Sequence, residues 1–432
     1  MDQIIVEGVR CFQNRQVVPL RPITLLVGEN SSGKTTLLAL ARNAWEILLR
    51  EPAVRFNEDP FLLGAYDQIA SFRGGRAGRA AEFTLGVALT SIPDFDTITL
   101  LNRFIQHEAQ PKLAELSLET GQYRLQVLLD KAEKSPCIKV KTPSRSLSWA
   151  VDSRAGEKAT DPWTILYQSF VTEERTLGKP KETSQLPFHE KHDLSRLIEL
   201  FYARDLAMSD LPIAFAPVRS QPKRTYDPIK YVGTPEGSHI PMLLARLSSS
   251  QQENWGHLRK ALVAFGKASG LFADVDVRHI GRKESDPFQI MVKVANSAFN
   301  LMDVGYGVSQ ILPIVVDAVG AIKGSTFLLQ QPEVHLHPKA QAELGSFLAT
   351  LAKHDQKCFV IETHSDYLVD RIRMDVRDKK LSPDDVALLY FERLNGHVEI
   401  RHLELDRFGN ITNAPASYRQ FFLAEEIRLL GG

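Results

Sequence analysis

The sequence predicts an α/β protein, a sheet packed by helices and interrupted by an α+β insertion. Three observations predict it. Ile23-Thr24-Leu25-Leu26-Val27 is a short, partly β-branched apolar run that reads as a buried strand, and Thr35 to Leu49 carries apolar residues at helical spacing. Between them, Gly28-Glu29-Asn30-Ser31-Ser32-Gly33-Lys34-Thr35 fits G-x-x-x-x-G-K-[ST] in the strand–loop–helix context that this pattern requires. The last quarter of the chain then alternates helix and strand over 304–322, 325–330, 338–353, 357–361, 365–374 and 385–391.

Composition bounds the answer. A chain of 432 residues with 44% hydrophobic content can bury two or three cores or one elaborated one. Lys plus Arg and Asp plus Glu both number 52, so any surface suited to a polyanion must be local. Cys11, Cys137 and Cys358 are scattered and odd in number, which suggests neither a disulfide framework nor a zinc site and makes the cytoplasm the expected compartment. Met1-Asp2-Gln3 has no cationic leader and no apolar run approaches ~18 residues, so neither export nor a membrane span is expected.

In chain order, residues 2–9 and 13–19 read as two short strands leading into the loop strand. A turn-rich stretch from Phe56 to Gly78 precedes strand-like alternation at Ala81–Leu89. Alternating segments at 123–128 and 138–141 suggest antiparallel strands, and 161–206 looks helical apart from the polar run 176–184. Residues 100–205 carry no component of the loop chemistry and are expected to form the insertion, β-rich and then helical. Leu211–Pro217 reads as a strand, 250–269 as a helix, and 275–280 and 289–295 as strands.

The chemistry of the glycine loop is that of a phosphate cradle. Glycines permit the sharp turn that aims main-chain N–H groups of Asn30, Ser31, Ser32, Gly33, Lys34, Thr35 and Thr36 at phosphate oxygens, and the helix start adds its positive dipole end. Lys34 is expected to reach the β- and γ-phosphates, and the Thr35 hydroxyl to serve Mg²⁺. A nucleotide with Mg²⁺ is therefore the expected ligand, and ATP is the one that the resemblance given below implies. Hydrolysis would also need carboxylates from a second strand, and Ser325–Gln330 is that strand, yet it ends in Gln330 and Gln331.

A glutamine can enter a Mg²⁺ shell through its carbonyl or orient a water, but it cannot take a proton at neutral pH. Gln330 is assigned to the metal, Gln331 to orienting water, and Glu333 to the catalytic carboxylate, against a competing reading of Glu333 as a solvated acid. Phe359–Ile361 is another strand, and His364 just beyond it either donates to the γ-phosphate or is simply structural. His335 and His337 alternate without further ligands and read as packing and turn residues. The glycine-rich stretch around Gly305, Tyr306 and Gly307, with Gln310 in the helix that follows, offers a second phosphate-binding helix start. It makes most sense if it closes over a nucleotide held by another copy of the chain.

Taken together, the loop at 28–36, the glycine stretch at 303–310, the strand ending Gln330-Gln331-Pro332-Glu333, and Thr363-His364-Ser365 resemble ABC-type ATPases of the overcoming-lysogenisation-defect and recombination-repair (SMC-like) class. The resemblance covers residues 1–92 and 207–391. It implies a P-loop NTPase with an ABC-type head over 1–99 and 206–432, built on a mixed sheet flanked by helices with an N-terminal antiparallel β-subdomain. It also implies two heads facing each other, Gly305, Tyr306 and Gly307 as signature residues, Gln221 as the metal-binding Q-loop residue, and His364 as the switch histidine. The glutamines at 330 and 331 depart from the family's acidic pair and imply slow turnover. Only ~40 residues follow the last strand, fewer than a nuclease domain of ordinary size needs. A stand-alone ATPase beside a separately encoded effector, as in bacterial antiphage systems, is the implied role.

Two other functions compete with it. A DNA-binding repair ATPase would present a basic lane, for which Arg219, Lys223, Arg224, Arg371 and Arg373 are candidates, against an ordinary solvated surface. A scaffold could instead hold the nucleotide without hydrolysing it.

Overall fold

A computed structural model describes residues 1–51, 53–74, 78–92, 94–129, 135–151, 161–171, 183–202, 211–228, 233–281, 283, 286–394 and 396–418. Strands β1 (Gln3–Glu7) and β2 (Gln16–Pro19) precede β3 (Ile23–Gly28), and helix α1 (Lys34–Leu48) follows the glycine loop. Small ladders, β4 (Asn57–Glu58) with β5 (Phe61–Leu62) and β6 (Phe72–Gly74) with β7 (Gly78–Arg79), flank the one-turn helix α2 (Tyr66–Ile69). Long strands β8 (Glu82–Ile92), β9 (Phe95–His107) and β10 (Gln110–Glu119) come next, then β11 (Arg124–Leu128), β12 (Cys137–Lys141) and β13 (Ser146–Ala150). Helices α3 (Pro162–Phe170) and α4 (Phe188–Tyr202) follow.

The second half opens with β14 (Ile213–Phe215), helices α5 (Ile240–Ser250) and α6 (Gln252–Ser269), and strands β15 (Asp274–His279), β16 (Phe288–Val294) and β17 (Ser297–Asn300). It continues with α7 (Tyr306–Gly320), β18 (Thr326–Gln330), α8 (Pro338–Asp355), β19 (Cys358–Glu362), α9 (Asp366–Arg377), β20 (Val386–Leu394) and β21 (His397–Leu403). The chain divides into two units. The first is Met1–Leu20, Ala39–Leu211 and Arg393–Glu399, and the second is Arg21–Leu38, Pro212–Glu392 and Ile400–Gly432.

The first unit is built on an eight-stranded antiparallel sheet in the order β13-β12-β11-β10-β9-β8-β1-β2. Along β9 the side chains alternate, with Ile98, Leu100, Asn102 and Phe104 buried and their neighbours less so, as a strand with one covered face requires. Phe83 and Phe104 stack at 5.2 Å between ring centroids, and Phe56 meets both edge-on at 5.7 and 5.2 Å. Asp161 caps α3 by accepting the N–H groups of Trp163 and Thr164, and Pro162 takes the first helical position.

This sheet corrects the expected domain boundary. Residue 100 lies inside β9, which is hydrogen-bonded on one side to β8 and on the other to β10, so no seam exists there. Strands expected to belong to an insertion extend the same sheet as β1 and β2. The expected boundary at 206 and residues 176–182 of the polar run lie outside the described residues.

The second unit is the α/β part, a six-stranded sheet in the order β14-β18-β19-β3-β20-β21. β14, β18, β19, β3 and β20 are successively parallel. All six residues of β3 are buried, as are Thr326–Leu329 of β18 and Phe359–Glu362 of β19, the near-continuous apolar run typical of a covered parallel sheet. Helices α8 and α9 make the crossovers from β18 to β19 and from β19 to β20. The helix–strand alternation expected from 304 to 391 is present with ends moved by a few residues, whereas α5, β17 and β21 were not foreseen.

Candidate functional site

Parallel strands bring their C-terminal ends to one edge of the sheet, where ligand crevices of open α/β folds form. Here β3 ends at Gly28, β19 at Glu362 and β18 at Gln330, on three adjacent strands of the second unit. Gly28 has φ 140°, and a Cβ there would stand 2.8 Å from the Phe391 carbonyl oxygen, so the strand can leave the sheet at this point only as glycine. Ser31 (φ 58°) and Gly33 (φ 94°) are left-handed, the backbone alternation from which anion-binding concavities are built. Asn30, Ser31 and Thr35 are exposed, Gly33 is partly so, and Ser32 and Thr36 are buried. The Ser32 hydroxyl donates to the Glu29 carbonyl at 2.8 Å.

Lys34 is turned inward. Its ammonium donates to the carbonyls of Gly28 (2.9 Å) and Glu29 (2.6 Å), and burial lowers its pKa, opposed by the charges of Glu362 and Glu29. The lysine thus lies across the loop that it is expected to serve, with main-chain oxygens as its partners.

The Thr35 hydroxyl is where two of these strand ends meet. It lies 2.7 and 3.0 Å from the two carboxylate oxygens of Glu362, and the side-chain amide of Gln330 donates to it at 3.3 Å. Gln330, expected to serve the metal, is therefore brought to the Thr35 hydroxyl. Glu362, to which the sequence assigns no role beyond its place just after the strand 357–361, is brought closer still. Burial raises its pKa, opposed by the Thr35 hydrogen bond and the Lys34 charge. The signal that could have found it was its position: a carboxylate as the last residue of a strand in a parallel sheet, immediately before Thr363-His364.

Glu333 is buried, not a solvated acid. One oxygen accepts the main-chain N–H of His364 at 2.9 Å, while Oε2 is enclosed and has no hydrogen-bond partner among the described residues. Burial raises its pKa, against the hydrogen bond from the His364 main chain and the charge of Arg219. Two further buried groups share this pattern. Arg219, 2% exposed and with its pKa pushed down to about 10 by burial, leaves Nε and Nη1 without a partner, and Gln310 leaves Nε2 so.

Gln331 is left-handed (φ 44°), and its N–H donates to the Glu362 carbonyl at 2.9 Å, a strained turn of the kind found at functional sites. His364 is exposed, and its pKa is lowered by partial desolvation first and by the Lys34 charge second. It immediately precedes Ser365, the N-cap of α9, whose hydroxyl accepts the Leu368 N–H at 3.1 Å.

Other expected residues sit differently. Gln221 is exposed and contributes nothing to the cluster at Thr35, and the buried side chain of its loop is Arg219. Gln310 is fully buried in α7 and accepts the Arg219 N–H at 3.1 Å, so it faces into its own unit instead of outward to a nucleotide. Gly305 is the N-cap of α7 and has open space around it. Gly307 is glycine for a packing reason, since a Cβ would lie 2.6 Å from the His335 carbonyl oxygen. Tyr306, 40% exposed, meets the His335 ring edge-on at 4.8 Å, and His337 caps α8.

The basic lane is mostly consumed within the unit. Arg224 pairs with Asp303, Arg371 with Glu343, and Arg373 with Asp370, while Arg219 is buried. The donor set at Thr35, by contrast, fits a divalent cation of the Mg²⁺ kind: a hydroxyl, a carboxylate and an amide that presents its carbonyl on a half-turn are all hard oxygen ligands. Among the described residues no helix is long and apolar enough to cross a membrane.

Comparison with known families matches residues 3–40 to an AAA domain and residues 240–369 to an AAA ATPase domain. The first segment holds the glycine loop; the second holds Gly305 to Gln310, Gln330, Glu333, Glu362 and His364. No curated protein matches the chain. Among solved structures, an Smc head bound to the C-winged helix domain of ScpA is 11% identical, covering 94% of this chain and 98% of its own at a TM-score of 0.47. An Smc head domain with an extended coiled coil, bound to the C-terminal domain of ScpA and derived from Pyrococcus furiosus, is 11% identical over 99% of both chains at 0.45. The SMC head domain from Thermotoga maritima is 13% identical, covering 93% and 98% at 0.40. The fold described above rests on the strand order, not on these distant likenesses.

Proposed function

We propose that the chain binds ATP with Mg²⁺ at the loop 28–36 and hydrolyses it slowly, dimerising through its nucleotide sites as ABC-type heads do. The observation that carries the reading is the convergence of Gln330 and Glu362, from the ends of adjacent strands, on Thr35 of α1, beside a buried Glu333 whose second oxygen has no partner among the described residues. Magnesium supplies charge neutralisation of the phosphates when bound. Thr35, Gln330 and Glu362 are the residues that would hold it, Glu333 would accept the proton of the attacking water, and Gln331 and His364 would orient water and γ-phosphate. Slow turnover follows from the amides at 330 and 331, which carry no charge to hold a cation and cannot take a proton.

Two features support the dimer. Gly305 and Tyr306 at the start of α7 lie on an open surface, and a helix N-terminus favours an anion from a facing copy. Beyond that, the motif resemblance supports a stand-alone ATPase of the overcoming-lysogenisation-defect class that regulates or scaffolds a separately encoded effector in bacterial antiphage defence. The ion-paired arginines make a DNA lane the weaker reading.

The test is phosphate release by the purified chain against Lys34→Ala, with mass measured with and without ATP. Release that exceeds the variant's, and a shift to the dimer with ATP, are expected. Equal release from both proteins would leave only a scaffold.

A further inference from the structure

The strand order decides which residue can carry charge to the loop. β19 lies between β18 and β3, so its last residue is the nearer neighbour of the helix that β3 feeds. Register pairs Gln330 with Glu362, which puts the two side chains on the same face of the sheet at the same height. Both reach Thr35, the amide at 3.3 Å and the carboxylate with one oxygen at 2.7 and the other at 3.0 Å.

A carboxylate that is only 4% exposed is costly unless something compensates its charge. Among the described residues Glu362 forms no ion pair, and its cationic neighbour Lys34 spends its hydrogen bonds on the Gly28 and Glu29 carbonyls. A plain hydrogen-bonding role toward Thr35 would be met by a neutral side chain at lower cost. The acid is thus placed beside a hydroxyl suited to a cation, on the strand next to one whose own terminal residue is neutral.

We propose that Glu362 is the carboxylate that holds the divalent cation at this site, supplying from β19 the negative charge that the Gln330 amide on β18 lacks. The proposal deepens the nucleotide reading and rests on it. Glu362 then has two duties that follow from one position: it orients the Thr35 hydroxyl before the cation arrives and shares the cation with it afterwards.

The experiment measures nucleotide affinity of the full chain by titration calorimetry with a slowly hydrolysed ATP analogue, once in EDTA and once in Mg²⁺. Manganese bound to the protein–nucleotide complex is followed in parallel by electron paramagnetic resonance. Wild type should gain affinity on adding Mg²⁺, and Glu362→Gln, measured against its own affinity in EDTA, should lose about tenfold or more of that gain and broaden or lose the bound-Mn²⁺ signal. The double variant Glu362→Gln with Gln330→Asp should regain it, which a merely structural role for Glu362 would not produce. An unchanged Mg²⁺ gain in Glu362→Gln overturns the proposal, as does a loss that Gln330→Asp fails to restore in a protein with wild-type melting. If wild type binds no nucleotide in either buffer, the nucleotide reading itself is what fails.

Discussion

Gln330 and Glu362 are register partners on adjacent parallel strands, and both place a side chain on the hydroxyl of Thr35. A neutral amide and a carboxylate therefore share one hydroxyl. That arrangement makes Lys34 of the loop, the oxygens at Thr35 and the buried Glu333 separable by mutation.

Lys34 is the first handle. Its ammonium ties the loop to itself through two carbonyls, and a triphosphate would compete for the same donors. Lys34→Ala should weaken ATP binding by about tenfold or more, the loss of a charge-assisted contact, and bring phosphate release to background. Fluorescent-nucleotide titration and a phosphate assay check it, and wild-type affinity in the variant would contradict the inward lysine's role.

Glu333 is the second. Its unpartnered Oε2 suits a general base, so Glu333→Gln should retain ATP, lower turnover by about 10²-fold or more, and accumulate the ATP-bound dimer. Single-turnover release and size-exclusion with light scattering read the two effects. Turnover within about twofold of wild type would return the role to solvent.

The same residue sets a pH dependence. Burial holds the Glu333 pKa above the ordinary 4.5, so activity should fall as pH drops through a value higher than that, and this limb should vanish from the residual rate of Glu333→Gln. For stability the sign is opposite to the usual carboxylate case. The folded state binds the proton more tightly than the unfolded state, so Glu333 costs stability at neutral pH and the cost disappears as pH falls through its raised pKa. Glu333→Gln should therefore gain on wild type at neutral pH, with the gap closing toward acid. Melting curves across that range would show a constant gap if Arg219 and His364 compensate the charge fully.

Gly305 and Gly307 separate packing from assembly. A methyl at 307 meets the His335 carbonyl oxygen, so Gly307→Ala should destabilise by about 1–3 kcal/mol. A methyl at 305 meets nothing, so Gly305→Ala should melt as wild type. If the start of α7 faces the partner's nucleotide, a bulky Gly305→Trp should abolish the ATP-dependent dimer while leaving monomer binding intact. Dimer formation by that variant would move the interface elsewhere.

Much of the second unit was legible because its signals are local. Strand, glycine loop and helix at 23–48 follow from an apolar run, two glycines and helical periodicity, and the alternation from 306 to 394 follows from the same rules. The first unit was harder to divide. Its strands were visible one by one, but hydrogen bonding of β9 to β8 on one side and β10 on the other joins segments that composition had separated at residue 100.

By itself, the sequence determined that a glycine loop of the phosphate-binding pattern stands between a buried strand and a helix, that Thr35 closes the pattern, and that residues 330 and 331 are amides. Only the tertiary structure decided which carboxylate meets Thr35, that Glu333 is enclosed, and that Arg219, not Gln221, is the buried side chain of its loop. The physical reason is that the order of strands in a parallel sheet is not the order in the chain. Glu362, 327 residues beyond Thr35, becomes its neighbour because β19 hydrogen-bonds to β3, a pairing between distant segments that no local pattern records.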